Sequence, residues 1–359
     1  MKLPIIVNEA GKIYIEAVPP LAWGRGRECT FIGALESALA ITPAPYIYED
    51  LMGWSALAFR VRWYHGDTGR RWCPSGPVGE GQEVLVALQQ ATGFELPAES
   101  RSNLADRSMV DFAPRIAAEI RAGRPVLAYE PQLNMGTVFG FEEEGETLLL
   151  RDYMTEEPVR RLPIEMLGPF VCFLGQRTIA ASPLDSLLAG IRRGVDSWHR
   201  SHEPARLGRY WLGRAALLKW RDDLQHVENL SPTERQLLFF VNWWTFDCLA
   251  DARAAAYRFL RRNHELLPGG PHHHLVEAAT LYADEARWMR AVLNEQLAFL
   301  GPWTGKNGDH WSPAVRERET AVLDRLLTLE ADAMGELGNL LEAAGGAAQP
   351  SAVPAPVTP

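Results

Sequence analysis

The chain has no apolar run approaching the roughly 18 residues that a membrane-spanning helix needs, and Met1-Lys2-Leu3-Pro4-Ile5 lacks a signal-peptide core. A cytoplasmic protein with no membrane partner is the expectation. Cysteine is scarce. Cys29, Cys73, Cys172 and Cys248 are the four present, and no two form a C-x-x-C pair. Neither a disulfide framework nor a zinc knuckle is indicated by that scatter. Positive charge is short as well, with 36 Lys and Arg against 45 Asp and Glu and a net charge of -9. Such a balance argues against a nucleic-acid partner. Histidine is nearly missing from one half: of nine, only His65 precedes His199.

What is present reads as an ordinary globular protein. Hydrophobic residues make up 47% and charged residues 23% of 359 positions, enough for a large core and, at this length, two domains. The organising stretch is Arg27-Glu28-Cys29-Thr30-Phe31-Ile32-Gly33-Ala34-Leu35-Glu36. Trp23-Gly24-Arg25-Gly26 makes a flexible lead-in, and Phe31, Leu35 and Leu39 begin a four-residue apolar spacing. Cys29 therefore stands at or near a helix N-terminus. Orphan backbone N–H groups and the helix dipole at such an end favour thiolate over thiol. The other reading is a small buried hydrophobe, the common fate of free cysteine.

Pattern changes at Ile179-Ala180-Ala181-Ser182-Pro183, where Ser-Pro can open a helix. The domains are expected over 1–181 and 182–345, with an Ala- and Pro-rich disordered tail over 346–359. In the first half, strands are predicted over 13–18, 57–64, 126–129, 137–141 and 147–151. Helices are predicted from Cys29 to Ala40 and over 46–52, 84–92 and 108–122. The second half reads as long amphipathic helices, with seams such as Leu184, Leu187, Ile191, Val195 and Trp198. A third helix starts after Ser231-Pro232 with Glu234 in the capping-box position. This three-and-four spacing is that of an antiparallel helical bundle. His272-His273-His274 with Glu277 invites a metal reading, but consecutive histidines at a helix start point in different directions, so no metal is assigned.

The order of cysteine helix, helices, Gly123-Arg124-Pro125-Val126-Leu127 and Leu148-Leu149-Leu150-Arg151-Asp152 resembles the papain-like fold of bacteriocin-processing cysteine peptidases. More closely it resembles the N-terminal domain family of butirosin biosynthesis protein H. That family carries a Ser-Gly-x-x-Phe-Arg stretch, matched by Ser55-Ala56-Leu57-Ala58-Phe59-Arg60 with alanine for glycine. A helical domain commonly follows it, and Tyr210-Trp211-Leu212-Gly213-Arg214-Ala215-Ala216-Leu217-Leu218-Lys219-Trp220 fits its pattern. The resemblance implies an α+β chain: a papain-like cysteine-peptidase fold, then an all-α antiparallel helical bundle.

It also implies cysteine-dependent acyl or amide transfer, or hydrolysis, in secondary metabolism, with no cofactor. A thiolate takes an acyl group from a carrier-protein thioester or an amide and passes it to an amine or water. Cys29 matches the nucleophile, and its own N–H with neighbouring loop amides would hold the oxyanion. Asp152 matches the residue that orients the base. The histidine does not match, because Asn134-Met135-Gly136 occupies its place and none of these side chains takes up a proton near pH 7. His65 supplying the base, His199 or His202 reaching across from the second half, and a true absence all remain. The last leaves a pocket that binds without turning over. No glutamine lies between Met1 and Cys29, so one oxyanion donor of the papain pattern is missing too.

Substrate-side candidates are Ser55, Arg60, Tyr129, Glu130 and Asn134. Arg60 and Arg62 can hold a carboxylate or phosphate, or form the solvated face of a strand. Tyr129 and Glu130 line the cleft or cap the sheet. The expected partner is a small-molecule or carrier-bound acyl substrate, with the bundle covering the cleft or making a homodimer. The competing function is a catalytically silent papain-like protein that binds a small molecule or a protein. Both readings of Cys29 as a site require its sulfur to face an open groove.

Overall fold

The protein is described by a computed structural model over residues 4–9, 11–64, 82–100, 109–132, 134–154, 157, 159–205, 208–295 and 311–345. In the first half the elements are β1 (Ile6–Glu9), β2 (Lys12–Ile15), α1 (Thr30–Leu39), α2 (Tyr48–Trp54), β3 (Arg62–Tyr64), α3 (Gln82–Thr92), β4 (Ala98–Ser100) and α4 (Ala113–Arg121). There follow β5 (Val126–Tyr129), β6 (Met135–Glu142), β7 (Thr147–Arg151), β8 (Arg160–Pro163) and β9 (Phe170–Phe173). The larger sheet runs β1-β2-β6-β5-β9-β4, with β7 paired to β6 and β8, and every pairing is antiparallel.

Alternation along β5 explains the layers. Val126 and Ala128 join the apolar cluster beneath α4, whereas Leu127 and Tyr129 join the larger cluster that holds α1 and α2, as the two-residue period of a strand requires. Ile116 and Ile120 of α4 share one apolar cluster with Phe141, Leu148 and Val171 on one face of the sheet. Across the sheet, α1 buries Phe31, Ile32, Leu35 and Leu39. The end of the sheet that carries the starts of β6 and the finish of β7 is thereby held against the beginning of α1.

The second half contains α5 (Pro183–His199), β10 (His202–Ala205), β11 (Gly208–Leu212), α6 (Gly213–Gln225), α7 (Pro232–Arg262), α8 (Gly270–Glu295) and α9 (Pro313–Ala343). Three of these helices start on the same device. Ser182, Ser231 and Ser312 each accept a hydrogen bond from the amide three residues on, with proline at the first helical position. At Ser231 the box is complete, since Glu234 also accepts from the Ser231 amide at 2.9 Å.

The all-α expectation for this half is corrected by the β10–β11 hairpin. Its strand β11 pairs with β3, Tyr210 opposite Tyr64 and Trp211 opposite Trp63, because the Tyr-Trp segment finds a ladder to complete. Trp63 then stacks on Trp220 at 4.8 Å. The predicted strand over 57–64 shrinks to Arg62–Tyr64, since Ala56 turns the chain at φ 64. Arg62 is buried under the Tyr210 ring at 3.9 Å and so does not lie on a solvated face. One apolar cluster runs from Phe31 and Phe59 through Leu187 and Ile191 to Phe259 and Leu326, passing across the joint near 181. Among the described residues, no helix is long and apolar enough to cross a membrane.

Candidate functional site

Cys29 is the residue immediately before α1, extended at φ -78 and ψ 92. Its carbonyl accepts from the Gly33 amide at 2.9 Å and its side chain makes no cap bond. The residue is only 1% exposed. Its N–H, the group expected to hold an oxyanion, donates to Tyr48 Oη at 3.0 Å. Tyr48 Oη in turn donates to Asp251 Oδ2 on α7 at 2.7 Å, and the Glu28 amide donates to that same oxygen at 3.2 Å. The Glu28 amide is thus committed to this buried carboxylate directly, and the Cys29 amide to the tyrosine bonded to it. Burial, reinforced by Asp251, holds the Tyr48 phenol above its ordinary range, so it stays protonated and keeps donating.

The thiol borders a cavity of about 20 Å³ walled by Met52, Leu57, Val61, Leu249 and Ala252, with Arg60, Arg62, Thr245 and Cys248 completing it. Such a space takes about one water molecule. The open groove expected at Cys29 is therefore corrected: α7 packs against α2, and its Asp251 accepts from the Glu28 amide beside Cys29. Among the described residues lining this cavity, none is histidine. His65 lies outside the described residues, as does Cys73. His199 is exposed at the end of α5, and His202 belongs to β10.

The Asn134-Met135-Gly136 segment leads into β6. Met135 opens β6, and its amide donates to Thr30 Oγ1 at 3.1 Å, next to Cys29. Gly136 leaves no room for a side chain, because an added Cβ would come 2.9 Å from the Arg151 carbonyl and 3.5 Å from Asp152 Cβ. Asp152 sits beside the start of β6, where its carboxylate is bonded by Arg160 and the Met154 amide. Oδ2 accepts from Arg160 Nη1 at 2.8 Å and Oδ1 from the Met154 amide at 3.2 Å. Asn134 is buried and donates to Met154 Sδ at 3.4 Å.

Glu130 and Tyr129 are buried rather than lining a cleft. Glu130 accepts from the Gln132 and Asn134 amides at 2.9 and 2.8 Å and pairs with Arg160 at 3.3 Å, so it ties the turn between β5 and β6. Tyr129 packs on Phe170 at 5.7 Å. Ser55 donates to the Leu51 carbonyl at 2.7 Å and closes α2. Of the substrate-side candidates, Arg60 alone borders the thiol cavity.

Sequence reasoning missed Tyr48, Asp251 and Arg160. Tyr48 falls within the helix predicted over 46–52, and Asp251 lies more than 200 positions from Cys29; no local pattern couples them. Glu28 carries the electrostatics of the seam. Burial first, then Asp247 and Asp251, push its carboxyl up to about 7, opposed by the Gly24 amide and Arg290. Among the described residues no group of three His, Cys, Asp or Glu is placed to hold a metal. His274 instead pairs with Glu336 at 2.7 Å, while His273 lies 4.0 Å from Glu277.

The chain matches no family model, and no curated protein matches it. Geometry alone carries the functional reading. A larger groove of about 580 Å³ lies on another face of α1, floored by Gly33, Ser37 and Ala40 and walled by Pro19–Ala22 and Pro45–Ile47. Its residues Gly33, Ser37 and Ala40 recur at helical spacing and are all small. Tyr153 closes it, its hydroxyl donating to the Arg27 carbonyl at 3.0 Å. Arg27 is held by a two-pronged ion pair with Glu36 at 2.7 and 3.0 Å.

Proposed function

We propose that this chain is a papain-like protein that has lost acyl turnover and acts by binding. One observation carries the reading: the Cys29 N–H is spent on Tyr48, which is locked to Asp251. An acyl-transfer site needs that donor free for the developing oxyanion, and losing one such donor costs about 10²–10³ in rate. The buried thiol, the cavity sized for about one water and the Asn134-Met135-Gly136 segment in the histidine's place support the same conclusion. The Asp152–Arg160 pair adds to it, since a carboxylate neutralised by guanidinium is a structural strut. For the ligand, the Pro19–Tyr153 groove has the volume usual for small-molecule sites, about 300–1,000 Å³.

Incubation with phenyl thioacetate at neutral pH, followed by intact-mass measurement, tests the loss of turnover. No acetyl adduct on Cys29 and no thiophenol release above buffer are expected. A Cys29 thioester that forms and hydrolyses repeatedly would overturn the proposal and restore cysteine-dependent acyl transfer. The groove is tested by a melting-temperature screen of small molecules against the natural chain and Ala40→Trp. Hits stabilise the first and not the second, because the indole fills the groove at the exposed end of α1.

A further inference from the structure

Building on the binding role proposed for the Pro19–Tyr153 groove, we infer that its ligand is an apolar monocarboxylate, with the carboxylate on the Arg25 guanidinium and the body laid along α1. Six polar side chains border this groove of about 580 Å³, and five of them are already engaged. Ser37 Oγ donates to the Pro19 carbonyl at 2.7 Å, Tyr46 Oη to the Thr92 carbonyl at 2.9 Å and Tyr153 Oη to the Arg27 carbonyl at 3.0 Å. Arg27 and Glu36 neutralise each other through bonds of 2.7 and 3.0 Å, and the Tyr48 amide donates to Glu36 Oε1 at 2.9 Å. The sixth is Arg25. Its side chain is exposed and makes no hydrogen bond or ion pair among the described residues, while its carbonyl accepts from Arg27 Nη1 at 3.2 Å.

One uncommitted charge therefore borders the groove, and it is positive, on a chain whose net charge is -9. A single guanidinium matches a single carboxylate, which it grips through two parallel N–H···O bonds. A phosphate dianion would keep a surplus negative charge near Glu36. The remaining lining suits an apolar body. Pro19, Pro20, Leu21 and Ile47 form walls, and the one hydroxyl on the floor, that of Ser37, is turned to the Pro19 carbonyl.

The two ends of the groove differ. A Cβ at Gly33 would stand 3.6 Å from Arg27 Cβ, so the arginines lie toward the start of α1, whereas Ala40, the C-cap of that helix, ends the floor. Between Gly33 and Ala40 the helix rises about 10 Å. Extended octanoate spans about that distance, with its carboxylate at Arg25 and its methyl end over Ala40.

Isothermal titration calorimetry of the full chain with octanoate, octanamide and octyl phosphate tests the assignment. Octanoate is expected to bind at one site per chain, octanamide roughly fivefold more weakly, the upper range for an exposed ion pair, and octyl phosphate no more tightly than octanoate. Added salt should weaken the acid and leave the amide unchanged. Arg25→Gln should bring octanoate down to the affinity of the amide, and Ala40→Trp should abolish binding of both. Octanamide binding as tightly as octanoate, or octyl phosphate binding more tightly, would overturn the inference while leaving the groove a binding site. Octanoate that fails to bind the natural chain, or binds Ala40→Trp unchanged, would also overturn it, and the melting-temperature screen with neutral compounds then decides separately whether the groove binds at all. The comparison of acid with amide on the natural chain decides even where a variant fails to fold.

Discussion

Ala56 holds the left-handed conformation at φ 64, at the position where the butirosin protein H pattern carries glycine. Its amide donates to the Gly53 carbonyl at 3.0 Å, and Ala58 returns to Met52 at 3.0 Å, so the turn is fixed by its neighbours whatever residue stands there. An alanine at positive φ is strained by its Cβ against the carbonyl. Ala56→Gly is therefore expected to stabilise the fold by about 1 kcal/mol, read as a higher urea midpoint with an unchanged slope. At this scale the sequence disclosed what is local. Cys29 before a helix and Asp152 after a strand were legible because each follows from its immediate neighbours. Tyr48 and Asp251 were not, since the bond between them depends on how α7 crosses α2. The glycine departure at Ala56 was visible as a mismatch, but its conformational meaning required backbone angles.

Among the elements, α7 shows how a periodic stripe conceals chemistry. The apolar spacing from Leu237 to Phe259 and the Ser231 box made the helix readable in type and start. Arg253 interrupts no stripe, yet it is fully buried. Its Nε donates to Glu330 Oε1 at 2.5 Å and its Nη1 to the Ala58 carbonyl at 2.7 Å, with Glu285 at 3.5 Å. One guanidinium faces two carboxyls and the Tyr282 ring. Burial first, then the charge of Glu330, holds the Glu285 carboxyl well above its ordinary range, so it stays neutral. Removing the cation is costly and removing that proton carrier is not. Arg253→Met is expected to cost about 3–5 kcal/mol, the usual loss when one partner of a buried pair is deleted. Glu285→Gln is expected to change stability by less than about 1 kcal/mol, because glutamine keeps the shape and neutrality of the protonated acid. Urea unfolding of the two variants against the natural protein checks the contrast.

For the whole molecule, the sequence pattern placed a joint near 181, where short strands give way to long helices. The physical seam between sheet and bundle is spread elsewhere: β3 against β11, Arg253 on the Ala58 carbonyl, and Glu28 with Tyr48 against α7. Periodicity reports what a segment is, and it says little about which distant segment it meets. That seam is acidic. Glu28 is 5% exposed and faces Asp247 and Asp251 of α7, with Arg290 of α8 bonded to Asp247 at 2.6 Å and Arg258 nearby on α7. Its carboxyl titrates at about 7 when folded, against an ordinary 4.5. The unfolded chain therefore releases this proton first. The contribution to stability is fully present below the lower value and is lost as pH rises through the upper one, amounting to about 3 kcal/mol. Glu319 adds a second group of the same sign, pushed up to about 7 by burial while Asn242 and Trp311 donate to it. The unfolding free energy is thus expected to fall between about pH 4.5 and 7.5, the opposite of the gain that paired surface carboxylates produce. Glu28→Gln should flatten the part of that slope due to the seam while leaving the Glu319 part in place. A pH series of urea titrations showing the same slope in Glu28→Gln as in the natural protein would remove the buried seam carboxyl from the account.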